Sequence, residues 1–220
     1  MSQLGSYCLS EEQKEQFHNE GYLIVKGLFR PEEVSDLQET FMRVHAEGGI
    51  PGHFEPLSEA EADGEPLKMY PRIIFPHRFI PTAKRYLLHP DVMGVLAELM
   101  EEEPLAAQSM FYFKPPGARG QALHQDNYYL RIEPGTCIAA WTAIDPSDED
   151  NGGLVVVPHT QQLDIQCPHE ADPKESYFRD EVELPEGSVI VPAKMEAGDV
   201  LFFNGSTIHG SYPNSSEDRF

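Results

Sequence analysis

The chain has 220 residues, enough for one domain with a real core and too few for two comfortable ones. Hydrophobic residues at 40%, with twelve Phe and nine Tyr, point to a globular protein, and a formal charge of −21 argues against nucleic acid, whose phosphates are neutralised by Lys and Arg. No apolar run approaches the roughly 18 residues that cross a bilayer, so no membrane partner is expected.

The first residues carry no charged segment followed by an apolar one, so no secretory leader is read. Cys8, Cys137 and Cys167 are odd in number and widely spaced. They match neither a disulfide framework nor a zinc pattern, and a reducing cytoplasm is the expected home. The acidity is uneven. Between Lys68 and Arg131 eight basic residues meet six acidic ones, leaving −23 for the remainder. That stretch suits an anionic cosubstrate, or is a neutral core region inside an acidic surface.

In chain order, Ser10-Glu11-Glu12-Gln13 predicts a helix over about 10–20 that stops at Gly21. Tyr22-Leu23-Ile24-Val25 reads as a strand. Pro31 opens a second helix, with Val34, Leu37, Phe41 and Val44 at helical spacing and Gly48-Gly49 as its end. Residues 50–67 read as a surface loop, and Pro90 to Glu103 as a third helix. From about 106 the character changes to short β-rich runs at 107–114, 121–130, 137–144, 153–158, 188–192, 199–203 and 206–210, a pattern of sandwiches and barrels. Residues 161–187 read as an insertion that, with 50–80, covers a site.

Within these runs lies His124-Gln125-Asp126, answered by His209 in Ile208-His209-Gly210-Ser211. Side chains two apart on a strand share a face, so His124 and Asp126 could hold one ion together while Gln125 turns away. Two histidines and a carboxylate leave neighbouring positions of an octahedral ion open, which suits non-haem Fe(II) oxygenases. His159 reads as a rim residue, and His77, His89 and His169 as exposed. No phosphate loop, nucleophile elbow or CxxC pair is present.

Five ordered motifs carry a resemblance: Leu123-His124-Gln125-Asp126, Ala140-Trp141-Thr142-Ala143, Asn151-Gly152-Gly153-Leu154 through Pro158, Gly198-Asp199-Val200, and His209-Gly210-Ser211. Together with Asn19-Glu20-Gly21-Tyr22, they resemble the phytanoyl-CoA dioxygenase family across nearly the whole chain. The resemblance implies a mainly β fold with flanking α-helices: a double-stranded β-helix, the jelly-roll, cupin-like barrel. It implies a single oxygenase domain, with residues 1–105 a helical and mixed part and 106–220 the jelly-roll core. It further implies Fe(II), 2-oxoglutarate and O₂ acting on a small-molecule substrate, with succinate and CO₂ released. His124, Asp126 and His209 look like the iron ligands, and an intact Asp126 favours hydroxylation over halogenation.

By the same resemblance Met110, Gln125, Trp141 and Ser211 line the cosubstrate pocket, and Arg72 is a second basic contact. Trp141 and Met110 also read as ordinary core, and Ser211 as the end of a turn. The family places an arginine about eleven residues past the distal histidine to grip the far carboxylate. Here Arg219 lies ten residues on, just before Phe220. Either Arg219 is that anchor, or the anchor and a closing strand lie beyond Phe220. Two further readings stay open: a catalytically silent jelly-roll protein that binds metal or ligand, and a cupin-like metalloenzyme needing no cosubstrate. The oligomeric state is not legible.

Overall fold

A computed structural model describes residues 5–133 and 136–217. Helix α1 (Glu11–Glu20) starts on a reciprocal capping box between Ser10 and Gln13 and stops at Gly21, whose φ of 81° is left-handed. Strand β1 (Tyr22–Val25) follows at once. Helix α2 (Pro31–Ala46) buries Val34, Leu37, Thr40 and Phe41 along one side.

The 50–67 stretch is not a plain loop. It holds two single-turn helices, α3 (Glu59–Ala62) and α4 (Pro66–Met69), the first capped by Ser58 and Glu61 and the second opened by Pro66. Helix α5 (Pro81–Leu87) also begins on a proline and is too short for periodicity to announce it. Helix α6 (Pro90–Met100) ends three residues earlier than expected, where Glu101 turns left-handed. His89, expected to be exposed, is buried. It caps α6 by accepting from the Asp91 amide, and its other ring nitrogen lies 3.3 Å from Glu33.

The later strands are β2 (Ile73–Ile74), β3 (Met110–Phe111), β4 (Gln121–His124), β5 (Ile138–Thr142), β6 (Leu154–Val156), β7 (His169–Glu170), β8 (Asp180–Glu181), β9 (Val191–Pro192), β10 (Val200–Asn204) and β11 (His209–Ser211). Two antiparallel sheets dominate, in the orders β1-β10-β5 and β4-β11-β6-β9. Alternation along β10 explains how they pack. Val200 and Phe202 face a core shared with the helices, while Leu201 and Phe203 face a second core with Val156, Ala193 and Met195. Leu23 and Val25 of β1 join the first core, Tyr22 and Ile24 the second. The two sheets thus enclose the second core as a jelly-roll does, and the helices cover the outer face of one sheet.

Several expected strands are corrected, 188–192 to Val191–Pro192 and 206–210 to His209–Ser211 among them. The run 107–114 keeps only Met110–Phe111 as strand, and 121–130 stops at His124 and becomes helix α7 (Asp126–Leu130). The segment 161–187 is tied along β4, an end strand of its sheet. The Gly120 amide donates to the Glu175 carbonyl at 2.9 Å, Tyr177 returns a bond to Gly120 at 3.0 Å, and the Val182 amide donates to Leu123 at 2.8 Å. An insertion that satisfies an edge in this way is part of the barrel wall.

Candidate metal centre

His124 ends β4 and His209 begins β11, and the two are directly paired across the ladder. Asp126 reaches them from a different element than the alternation of a strand implies. The chain leaves β4 at Gln125 and turns into α7, with Asp126 its first residue. Long-range bonds enforce the turn. The Asn127 amide donates to the Gly205 carbonyl at 2.8 Å, and Asn127 Nδ2 donates to the Ser206 hydroxyl at 2.8 Å. A Cβ on Gly205 would lie 2.6 Å from Asn127 Oδ1, so glycine is needed there.

The three side chains converge. His124 Nε2 lies 3.7 Å and His209 Nε2 3.8 Å from the same Asp126 oxygen, and the ligand atoms all fall within 4.8 Å of one another. It is the one group of this kind among the described residues. His124 Nδ1 meets the Ala122 carbonyl at 2.9 Å and His209 Nδ1 meets the Thr207 carbonyl at 2.9 Å. A carbonyl only accepts, so both Nδ1 atoms carry a proton, and both Nε2 atoms are turned toward Asp126. Burial, reinforced by His209 and by the charge of Arg72, pushes the His124 imidazole down to about 3. It is therefore neutral at physiological pH, as a metal ligand must be. The geometry and the donor set fit a divalent transition metal.

Around this set the structure distributes the other candidates unevenly. Ser211, two residues past His209, accepts from the Gln121 amide at 3.1 Å and from Lys114 Nζ at 3.2 Å. Its own proton is then free to donate elsewhere. Arg72 stacks over Phe178 at 4.4 Å, and its charge is felt at both His124 and the Tyr112 phenol. Met110 receives the Tyr112 hydroxyl on its sulfur at 3.1 Å. Trp141 pairs with Leu201 and packs on the inter-sheet core, the same core as Phe203, whose ring lies 4.3 Å from that of His209. Gln125 is different. It is fully buried, its amide nitrogen donates to the Ser206 carbonyl and its oxygen accepts from the Gln166 amide, both at 2.9 Å. Both ends of this carboxamide are held by backbone. Arg219 lies outside the described residues.

Four residues beside the site were not singled out from the sequence as site residues: Lys114, Tyr112, Gln121 and Phe203. Lys114 had a signal in its Lys-Pro-Pro turn, and Tyr112 one in its position two after Met110. Burial raises the Tyr112 phenol, and the Asp126 charge adds to it. Gln121 had no signal, because its contact with His124 spans three residues at the end of a strand.

A family model described as "Phytanoyl-CoA dioxygenase (PhyH)" matches residues 17–220. The chain belongs to the phytanoyl-CoA dioxygenase family. Within that family, phytanoyl-CoA dioxygenase 1 of Oryza sativa subsp. japonica is 28% identical over 141 residues, which make up 64% of this chain and 50% of that protein. The match thus spans half the length of the rice relative. Phytanoyl-CoA dioxygenase domain-containing protein 1 of Danio rerio is 23% identical over 252 residues, covering 95% of this chain and 86% of that one. The solved structure of EvdO2 from Micromonospora carbonacea var. aurantiaca, complexed with 2-oxoglutarate, superposes with a TM-score of 0.71 at 19% identity, over 99% of this chain and 89% of that one. At that identity the superposition establishes a common fold, and the jelly-roll reading of this family member stands. Among its described residues no helix is long and apolar enough to cross a membrane.

Proposed function

We propose that the chain is a non-haem Fe(II)/2-oxoglutarate-dependent oxygenase that hydroxylates a small or medium organic substrate. The observation that carries this reading is the convergence of His124, Asp126 and His209 with both Nε2 atoms directed at the carboxylate. Two neutral imidazoles and one carboxylate would hold Fe(II) and leave room for other ligands. With 2-oxoglutarate and O₂, that metal supplies the oxidising power for C–H hydroxylation, and succinate and CO₂ are the co-products.

The chain's own residues bind and orient. Ser211 offers a hydroxyl proton, with the Lys114 ammonium beside it, to a carboxylate. Arg72 brings a positive charge to the His124 side, with the Tyr112 phenol and Met110 sulfur next to it. Gln125 acts by clamping the turn that delivers Asp126. Arg219 remains the candidate for the far carboxylate. An intact carboxylate at Asp126 supports hydroxylation as the outcome. The free thiols Cys8, Cys137 and Cys167 support a cytoplasmic location. The complex of EvdO2 with 2-oxoglutarate supports the choice of cosubstrate.

Anaerobic addition of Fe(II) and 2-oxoglutarate tests the reading. A weak visible charge-transfer band that needs both, and succinate formation on admitting O₂, are expected. Metal binding with no response to 2-oxoglutarate would point instead to a silent binding protein.

A further inference from the structure

We infer that Gln121 is a ligand-binding residue of the metal centre, whose carboxamide donates a hydrogen bond to the metal-chelating carboxylate of a 2-oxo acid. The inference rests on the oxygenase reading and adds a residue to it. Gln121 Nε2 lies 3.1 Å from His124 Nε2. Because His124 Nδ1 donates to the Ala122 carbonyl, Nε2 is the acceptor and the Gln121 amide is the donor. The amide is therefore centred on the one lone pair that faces Asp126 and His209. A metal held by those three groups takes that lone pair. Displaced from that lone pair by the metal, the NH₂ group of Gln121 is left at the metal's edge, where it borders the remaining ligands with two N–H bonds to offer.

Gln121 also connects the two ends of the site. Its backbone amide donates to the Ser211 hydroxyl at 3.1 Å while its side chain reaches His124. It therefore spans the wall from the metal face to the hydroxyl and ammonium of Ser211 and Lys114. A 2-oxo acid with a second carboxylate has its two charged ends separated by a short chain, and this wall presents a donor at each end. The side-chain amide serves the near, chelating end. A neutral amide suits this place better than an acid, which would compete with the cosubstrate for the metal, or a cation, which would repel it.

The test is a comparison of Gln121→Leu and Gln121→Glu with the wild-type protein under anaerobic Fe(II). Two cosubstrates are titrated by the visible band, 2-oxoglutarate and 2-oxobutyrate, the second lacking the far carboxylate. Metal affinity is measured separately by calorimetry with Mn(II). Gln121→Leu is expected to weaken both oxo acids by about tenfold or more, the loss of a hydrogen bond to a charged group. The ratio between the two oxo acids and the Mn(II) affinity should stay within about twofold. Ser211→Ala should instead weaken 2-oxoglutarate selectively. Gln121→Glu is expected to tighten Mn(II) and to weaken both oxo acids further. Unchanged oxo-acid affinities in Gln121→Leu overturn the assignment, and so does a loss confined to Mn(II), which would make Gln121 a mere support for His124. A wild-type protein that binds metal and gives no band with either oxo acid overturns the oxygenase reading itself.

Discussion

His124 and His209 stand directly opposite each other across the β4–β11 ladder, their ring centres 4.2 Å apart. Two imidazoles from strands far apart in sequence are thus fixed by backbone pairing, before any metal arrives. His209→Ala removes one of three ligand atoms without breaking that pairing. Metal affinity is expected to fall by more than the 10–100-fold that loss of an outer partner costs, and oxygenase turnover to vanish. Calorimetry with Mn(II) and a circular-dichroism melt check this, the melt showing a folded protein.

Ser211 accepts two hydrogen bonds, one of them from Lys114, and Lys114 crosses Gly152 on its way. Gly152 has φ 83°, and a Cβ there would collide with the lysine side chain. Gly152→Ala is therefore expected to displace Lys114 and to weaken 2-oxoglutarate binding severalfold, besides a strain cost on the order of 1 kcal/mol for the positive φ. Lys114→Met should reproduce the binding loss without the strain. Titration of the visible band with 2-oxoglutarate, alongside thermal melts, separates the two effects.

The parts of the molecule legible in the sequence are those built from local signals. The helices α1, α2 and α6 announce themselves by Ser10, by Pro31 and by the spacing of Val92, Val95 and Leu99. The three candidate metal ligands are legible as residue types, and the meeting of the two histidines follows from β4–β11 pairing. The route by which Asp126 arrives was not legible. Alternation put it on a strand, whereas Asn127 is drawn by Gly205 and Ser206, nearly 80 residues away, into a helical turn. Gln125 is read from the resemblance as a pocket residue, but its clamp was not legible for the same reason, since its partners Ser206 and Gln166 belong to distant segments. The buried His89 shows the limit most plainly. A Pro-flanked histidine looks exposed until Glu33 and the ring of Phe29 close over it.

Glu33 should dominate one part of the acid response. The Arg30 guanidinium beside it, helped by the Arg30 amide and by His89, holds its carboxyl down to about 2 against burial, which opposes them. The folded-state value is below the unfolded one near 4.5. The stabilisation is then fully present above about 4.5 and is lost as pH falls toward 2. Glu33→Gln is expected to lower stability at pH 7 by ~2 kcal/mol and to converge with wild type near pH 2. Urea midpoints from pH 7 down to 2.5 measure this, and a gap that fails to narrow on acidification would rule it out.

Phe203 ties the core to the candidate metal site. Its ring is buried in the inter-sheet core and lies 4.3 Å from that of His209. The His209 ring is also oriented by the hydrogen bond from Nδ1 to the Thr207 carbonyl and by the His124 ring 4.2 Å away. Phe203→Leu keeps an apolar side chain and removes the ring contact, worth about 0.5–1.5 kcal/mol beyond its area. Stability is expected to fall by about 1–2 kcal/mol from the small cavity. Metal affinity should fall as well, by up to about tenfold, because a loosened imidazole loses preorganisation. Leu201→Ala provides the contrast. Leu201 is fully buried in the same core on the same strand and has no ring to lay against either imidazole. It should cost about 2–5 kcal/mol in stability with little change in metal affinity measured well below the melting temperature. Equal metal affinities for Phe203→Leu and wild type would show that the Phe203 ring does not orient His209.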